Sequence, residues 1–205
     1  MTPTEGDPID RLYQATATPQ LVRVPPLTFL CIDGYGNPNT SPAYAGAVQA
    51  LYSLSYAAKS AVRKAGGPVL QVSFLKGLWW SPDPNVFLTG VASDWEWTLM
   101  VRQPEAFTRE LCARLIDEVA GKKSVPVTRR LRLVSFEEGA AAQVLHVGPY
   151  ATEAPTIKQL HEFIHDRGFR FDGHRDKHHE IYLSDPRRSA PERLRTIIRQ
   201  PNAAS

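Results

Sequence analysis

Apolar and polar positions along the chain predict strands and helices in a definite order. Leu27-Thr28-Phe29-Leu30-Cys31-Ile32 is a continuous apolar run, as in a strand buried on both faces. It ends in the turn cluster Asp33-Gly34-Tyr35-Gly36-Asn37-Pro38-Asn39. Ser41-Pro42 then opens a long helix, with Ser41 as N-cap and Pro42 at the first helical position. Tyr44, Val48, Leu51, Leu54, Ser55, Ala58 and Val62 recur at helical spacing, and Gly66-Gly67-Pro68 stops the run. Residues 69–75 predict the next strand. It leads into a hairpin whose second strand places Trp95, Trp97, Leu99 and Val101 on one face and Glu96, Thr98 and Met100 on the other.

The pattern then repeats in kind. A helix is predicted from Pro104, with Phe107, Leu111, Leu115 and Val119 on one face and Gly121 at its end. Two strands, residues 131–136 and 141–147, flank the Glu138-Gly139 turn. A helix from Thr152 carries Ile157, Leu160, Phe163 and Ile164 and stops at Gly168. Strands at 178–184 and 195–199 follow, with a helical turn at 191–194. Residues 1–24 are polar and proline-spotted and read as a flexible lead-in, with a short turn around residues 9–13. Strand, Gly/Tyr turn, long helix, strand, strand thus occurs over residues 27–102 and again over 141–199, with Asp33-Gly34-Tyr35 matching Gly148-Pro149-Tyr150. This is a likeness of element order and not a sequence repeat.

Composition narrows the function classes. At 205 residues the chain is one large domain or two small modules. A formal charge of +3 is too mild to argue for nucleic acid, and no apolar segment approaches the ~20 residues of a membrane helix. The two cysteines, Cys31 and Cys112, form no Cys-x-x-Cys pair, which fits a reducing cytoplasm and excludes zinc-finger and thioredoxin-like motifs. The N-terminus lacks the apolar run of a signal peptide. Residues 1–24 leave no room for a helix-turn-helix reader ahead of the first strand, so a DNA-binding regulator is not expected. Gly34 and Gly36 do not form a dinucleotide loop, because Asn39 stands where the third glycine belongs.

Three features could carry chemistry. All four tryptophans lie between Trp79 and Trp97, in the predicted hairpin and its loop with Pro82, Pro84 and Asn85. They fit either the lining of a binding cavity or plain core packing. His161-Glu162-Phe163-Ile164-His165 is literally H-E-x-x-H, a zinc-hydrolase pattern, with His174, His178, His179 or Glu180 as candidate third ligands. The helix wheel argues against it: His161 and His165 fall roughly 90° and 130° from the centre of the apolar face, at its edge or in solvent. Finally, His178, Glu180, Tyr182 and Ser184 share one face of a predicted strand. A mid-strand acid is either on a solvated face or buried for a reason. Inside an aromatic cage its pKa is expected to rise.

Several of these stretches together resemble the GyrI-like small-molecule-binding family. They are Phe29 to Pro38, Gly77-Leu78-Trp79-Trp80, Trp97 to Pro104, Leu145-His146-Val147-Gly148-Pro149-Tyr150, and His179 to Arg188. The resemblance runs from about residue 9 to 200 and implies an α+β fold of two βαββ modules in pseudo-twofold arrangement, with a ligand cleft between them. The implied domain covers residues 25–205. In related effector-binding domains a glutamate amid aromatics receives cationic drugs, and that glutamate matches Glu180. A stand-alone subgroup hydrolyses cyclopropane-bearing DNA alkylators within an aromatic cage. The resemblance therefore implies a small-molecule ligand, no cofactor and no metal. It implies Glu180, Tyr182 and Tyr150 as catalytic candidates, and Trp79, Trp80, Trp97, Tyr35 and Glu180 as ligand-binding candidates. It departs at Lys76, where the family commonly has glutamate, which inverts the local charge. A module that sequesters a ligand or binds a protein without turnover is the alternative.

Overall fold

The computed structural model describes residues 8–81, 95–122, 125–171 and 177–204. These form four α-helices and ten strands. The helices are α1 (Pro8–Arg11), α2 (Pro42–Lys64), α3 (Arg109–Lys122) and α4 (Ala154–His165). The strands are β1 (Gln20–Val24), β2 (Leu27–Tyr35), β3 (Leu75–Trp80), β4 (Glu96–Arg102), β5 (Arg132–Phe136), β6 (Gly139–Val147), β7 (Phe169–Arg170), β8 (His178–Tyr182), β9 (Arg195–Pro201) and β10 (Ala203–Ala204). None of the described helices is long and apolar enough to cross a membrane.

Eight strands make one antiparallel sheet in the order β1-β6-β9-β8-β3-β4-β2-β5. It divides into two βαββ units. In the first, α2 crosses between β2 and β3; in the second, α4 crosses between β6 and β8. The units meet where β3 pairs with β8, with Gly77 opposite Glu180. The outermost strands are exchanged: β1 precedes the first unit but pairs with β6, and β5 precedes the second but pairs with β2. Each exchange runs through a two-residue link, residues 25–26 or 137–138. Such a link spans at most about 11 Å, yet the strands it joins lie six places apart in the sheet order, about 29 Å in a flat sheet. The sheet must therefore curl into a half-barrel.

One face of the sheet is covered by helices. Leu51 and Leu54 of α2 and Leu115 and Val119 of α3 pack on Leu30, Ile32, Leu99 and Val101. Ile157, Leu160 and Ile164 of α4 pack on Ala142, Val144 and Ile198. The opposite face buries Phe29, Cys31, Leu78 and Met100 in one cluster and Ile181 and Ile197 with Ala15 in another.

Several sequence expectations need correction. The lead-in folds from residue 8: Leu12 and Ala15 are buried, Arg199 Nη2 donates to the Leu12 carbonyl at 2.7 Å, and β1 forms an edge strand. An edge strand packs little, so its sequence carries little pattern. Residues 69–74 form no strand, and Val69 is 76% exposed. The second long helix begins at Arg109 rather than Pro104; the Thr108 hydroxyl accepts the Leu111 N–H at 3.2 Å, and Phe107 is buried from the turn before it. The strands on either side of Glu138 do not pair with each other but lie toward opposite ends of the sheet. Ser41 takes the N-cap position of α2 without a side-chain cap bond.

Candidate functional site

The β3–β8 seam determines which side chains can meet. Strand alternation sends Gly77 and Trp79 of β3, Trp97 of β4, and His178, Glu180 and Tyr182 of β8 to the helix-covered face. Lys76, Trp80, Tyr35, Glu96 and His179 go to the other. Two strand glycines make room for the indoles. A methyl group at Gly34 would overlap the Trp97 ring, and one at Gly77 would sit 3.0 Å from the Tyr182 hydroxyl and closer still to Trp79.

Glu180 lies at the centre, with 12% of its side chain exposed. The Tyr182 hydroxyl donates to Oε2 at 2.7 Å and itself accepts the Trp79 indole N–H at 3.0 Å. His178 Nε2 lies 3.1 Å from Oε1, and Gln200 Nε2 lies 3.0 Å from His178 Nδ1. An imidazole protonated at Nε2 satisfies both contacts, donating to Glu180 and accepting from Gln200. Among the described residues Gln200 Oε1 and His161 Nε2 are buried with no hydrogen-bond partner, and His161 stacks on Phe171 at 5.6 Å. Aromatic rings surround this chain of bonds. Tyr150 packs edge-on to Tyr182 at 5.7 Å, Tyr44 stacks on Trp79 at 6.0 Å, and Trp95 meets Trp79 edge-on at 5.4 Å.

A second acid completes the group. Glu153, at the N-cap position of α4, is 5% exposed; its carboxyl interacts with that of Glu180 and with Thr196, and among the described residues its Oε1 has no donor. Burial pushes the Glu153 carboxyl well above its ordinary value, and the adjacent Glu180 pushes it further. Burial would also raise Glu180, but hydrogen bonds from His178, Tyr182 and Glu153 outweigh it, and Glu180 is lowered. The raised pKa expected for a caged acid thus belongs to Glu153, because Glu180 is supplied with donors from His178, Tyr182 and Glu153, whereas Glu153 has Thr196 alone against burial and a neighbouring carboxyl. Burial and the Glu180 charge push the Tyr182 hydroxyl well up and that of Tyr150 to about 12.

The structure brings together Glu180, Tyr182, Tyr150 and Trp79. Trp97 packs behind them, edge-on to Tyr44 at 5.4 Å and 1% exposed. Trp80 and Tyr35 are not part of the cluster. Trp80 is half-buried on the opposite face, where its N–H donates to Glu96 at 2.6 Å and Lys177 lies 3.2 Å over its ring. Tyr35 is 79% exposed. The loop with Pro82, Pro84 and Asn85 lies outside the described residues. Sequence reasoning missed Glu153, Gln200 and Tyr44. An acid at the start of a helix reads as a solvated partner of the helix dipole, and its burial has no sequence signal.

Lys76 also faces away from Glu180. It is 1% exposed, donates to Ser73 Oγ at 3.2 Å and the Phe74 carbonyl at 3.0 Å, and lies over the Tyr13 ring. Burial, then Arg199 and Arg102, pull its amine well down. As for H-E-x-x-H, His165 is exposed while His161 is half-buried toward Gln200, so the two diverge. Among the described residues no three of His, Cys, Asp or Glu converge as a metal set; His174 lies outside them.

Comparison with known proteins fits this geometry. The model of the GyrI-like small-molecule-binding domain matches residues 17–201. A structure described as an uncharacterized conserved protein from Listeria innocua is 38% identical, with a TM-score of 0.87 over 95% of this chain and 96% of that one. Another, described as a hydrolase from Listeria innocua, is 35% identical, with a TM-score of 0.83 over 95% and 96%. The C-terminal domain of EcmrR shares the fold at 10% identity, with a TM-score of 0.55 over 92% of this chain and 98% of that one. No curated protein matches the chain.

Proposed function

Because the chain belongs to the GyrI-like small-molecule-binding family, we propose that it takes planar or cationic xenobiotics against Trp79, Tyr150 and Tyr182, and hydrolyses those that carry a strained cyclopropane. The observation that carries this reading is the lowered, nearly buried Glu180 carboxylate set among aromatic rings. An aromatic face attracts a cation or stacks on a planar ring, and a desolvated carboxylate attracts positive charge more strongly than one in water. The neighbour described as a hydrolase supports turnover.

In the hydrolytic step Glu180 accepts a proton from water, whose oxygen bonds the electrophilic ring carbon as the strained bond breaks. Tyr182 already donates to Glu180, which leaves Tyr150 as the donor to the developing oxyanion. Sequestration without turnover is the second reading. Its support is that both Glu180 oxygens are engaged by donors, which makes the carboxylate a better charge anchor than base.

Glu180→Gln tests the site. Binding of a phenanthridinium dye, followed by tryptophan quenching, weakens at least tenfold while a neutral ring system of equal size binds as before. Turnover of a cyclopropane alkylator falls ~10²–10⁴-fold. Wild-type affinity for both ligands together with wild-type turnover rules the site out. Intact alkylator recovered from the wild-type protein favours sequestration.

A further inference from the structure

Glu153 is the buried acid that the proposed hydrolysis leaves unused, and its position is hard to explain as packing. It sits at a helix N-terminus beside Tyr150, buried, with one carboxyl oxygen that no hydrogen-bond donor among the described residues reaches. Its neighbour is another carboxyl, that of Glu180. Two ionised carboxylates in contact inside a protein repel strongly, and a proton placed between them turns that repulsion into a hydrogen bond. Held on Glu153, that proton makes its carboxyl the hydrogen-bond donor to Glu180.

We propose that Glu153 and Glu180 share one proton and act as a single acid–base unit, with Glu153 as its proton store. The groups facing the pair are His178 and Tyr182 from β8, Thr196 from β9, Tyr150 from the turn before α4 and Tyr44 from α2. Hydroxyls and an imidazole surround it, where Arg199 supplies a permanent cation to the other buried glutamate, Glu138. The opposite displacements of the two carboxyls, Glu153 up and Glu180 down, agree with one proton held on the Glu153 side.

The catalytic half of this inference rests on the hydrolase reading above; the shared proton does not. In the step, a water O–H bond breaks and its proton passes to Glu180. The water oxygen bonds carbon, the strained carbon–carbon bond breaks, and its electron pair moves to the leaving atom, which takes a proton from the pair. The pair starts and ends with one proton, and transfer between the touching carboxyls resets it. Glu153 acts through Glu180 and is a positioning residue here.

The test combines a readout of the proton with a readout of catalysis. Infrared spectra of protein labelled with carbon-13 at the glutamate carboxyls show a protonated-carboxyl band at neutral pH, and Glu153→Gln removes it. With a cyclopropane alkylator, kcat of Glu153→Gln falls ~10²-fold, the lower end for one acid–base group, while KM changes little. The alkaline limb of its pH profile is lost. Absence of the band in the wild-type protein, or its persistence in Glu153→Gln, overturns the shared proton. Loss of the band with unchanged kcat and pH profile overturns the catalytic half. A wild-type protein that shows the band but leaves the alkylator intact sinks the hydrolase reading and the catalytic half, and leaves the shared proton standing. Should Glu153→Gln fail to fold, titrating the wild-type band decides: it must persist above the ordinary glutamate range.

Discussion

Strand β8 carries a buried histidine toward each face of the sheet, and each meets a glutamate. On one face His179 Nδ1 lies 2.8 Å from Glu138, which also takes Arg199 at 3.2 Å. Arg199 in turn binds Gln143 Oε1 at 2.8 Å and the Leu12 carbonyl at 2.7 Å. On the other face His178 meets Glu180, but the remaining partners are hydroxyls and a second acid. Burial would raise Glu138, yet His179 and Arg199 together bring it down to about 2. Among the described residues no such cation answers Glu153, which is pushed up. The first face compensates its charge and ties the N-terminal segment to the second unit. The second keeps charge undercompensated beside aromatic rings, as a site for a ligand or a proton requires.

Breaking the compensated face has the largest expected effect. Arg199→Leu leaves Glu138 buried without its guanidinium and costs about 3–5 kcal/mol in urea unfolding, whereas Glu180→Gln keeps the shape, loses only hydrogen bonds to its carboxylate and costs less. Equal losses from both would erase the distinction between the faces.

Acid sharpens the same contrast. Glu138 titrates lower in the folded chain, at about 2, than when unfolded. Its stabilisation is therefore full above the ordinary glutamate value and is lost as pH falls through that value toward 2. The whole contribution is on the order of 3 kcal/mol. Burial lowers His179 as well, so its contribution is lost in the same direction, from about pH 6.5 downward. Glu153 has the opposite sign: raised when folded, it favours the native state most below its unfolded value and less as pH rises through its folded one. Unfolding measured between pH 2 and pH 7 shows a steep acid limb that Arg199→Leu flattens. An acid limb unchanged in that variant would separate Glu138 from it.

The smallest effect is expected at Trp80, and it separates the tryptophans. Trp80→Leu changes stability by less than ~1 kcal/mol, since its Lys177 and Glu96 contacts lie on a part-exposed surface, and leaves dye binding intact. Trp97→Ala, in a fully buried position over Gly34, costs about 3–5 kcal/mol and is a folding variant. Only Trp79 is expected to affect both properties, because its N–H belongs to the Glu180 chain. Thermal melts run beside dye titrations check all three.

The sequence by itself determined much of the frame. Apolar periodicity located α2, α4 and the main strands, because a buried stripe must repeat with the geometry of its element. Alternation also separated Trp95 and Trp97 from Glu96 before any partner strand was known. Its limits appear where the determining contact is distant in the chain. The exchanged edge strands β1 and β5 pair with the other unit, so nothing near them in sequence announces their partners. The register between β3 and β8 set Trp79 and Glu180 on one face and removed Trp80 and Lys76 to the other, a choice made by backbone pairing across more than a hundred residues. Glu153 is the plainest case. Its chemistry comes from burial beside a second carboxyl, and burial is a property of the assembled chain, created when α4 packs on β6 and β9 and water is taken away from an acid that the sequence would leave in solvent.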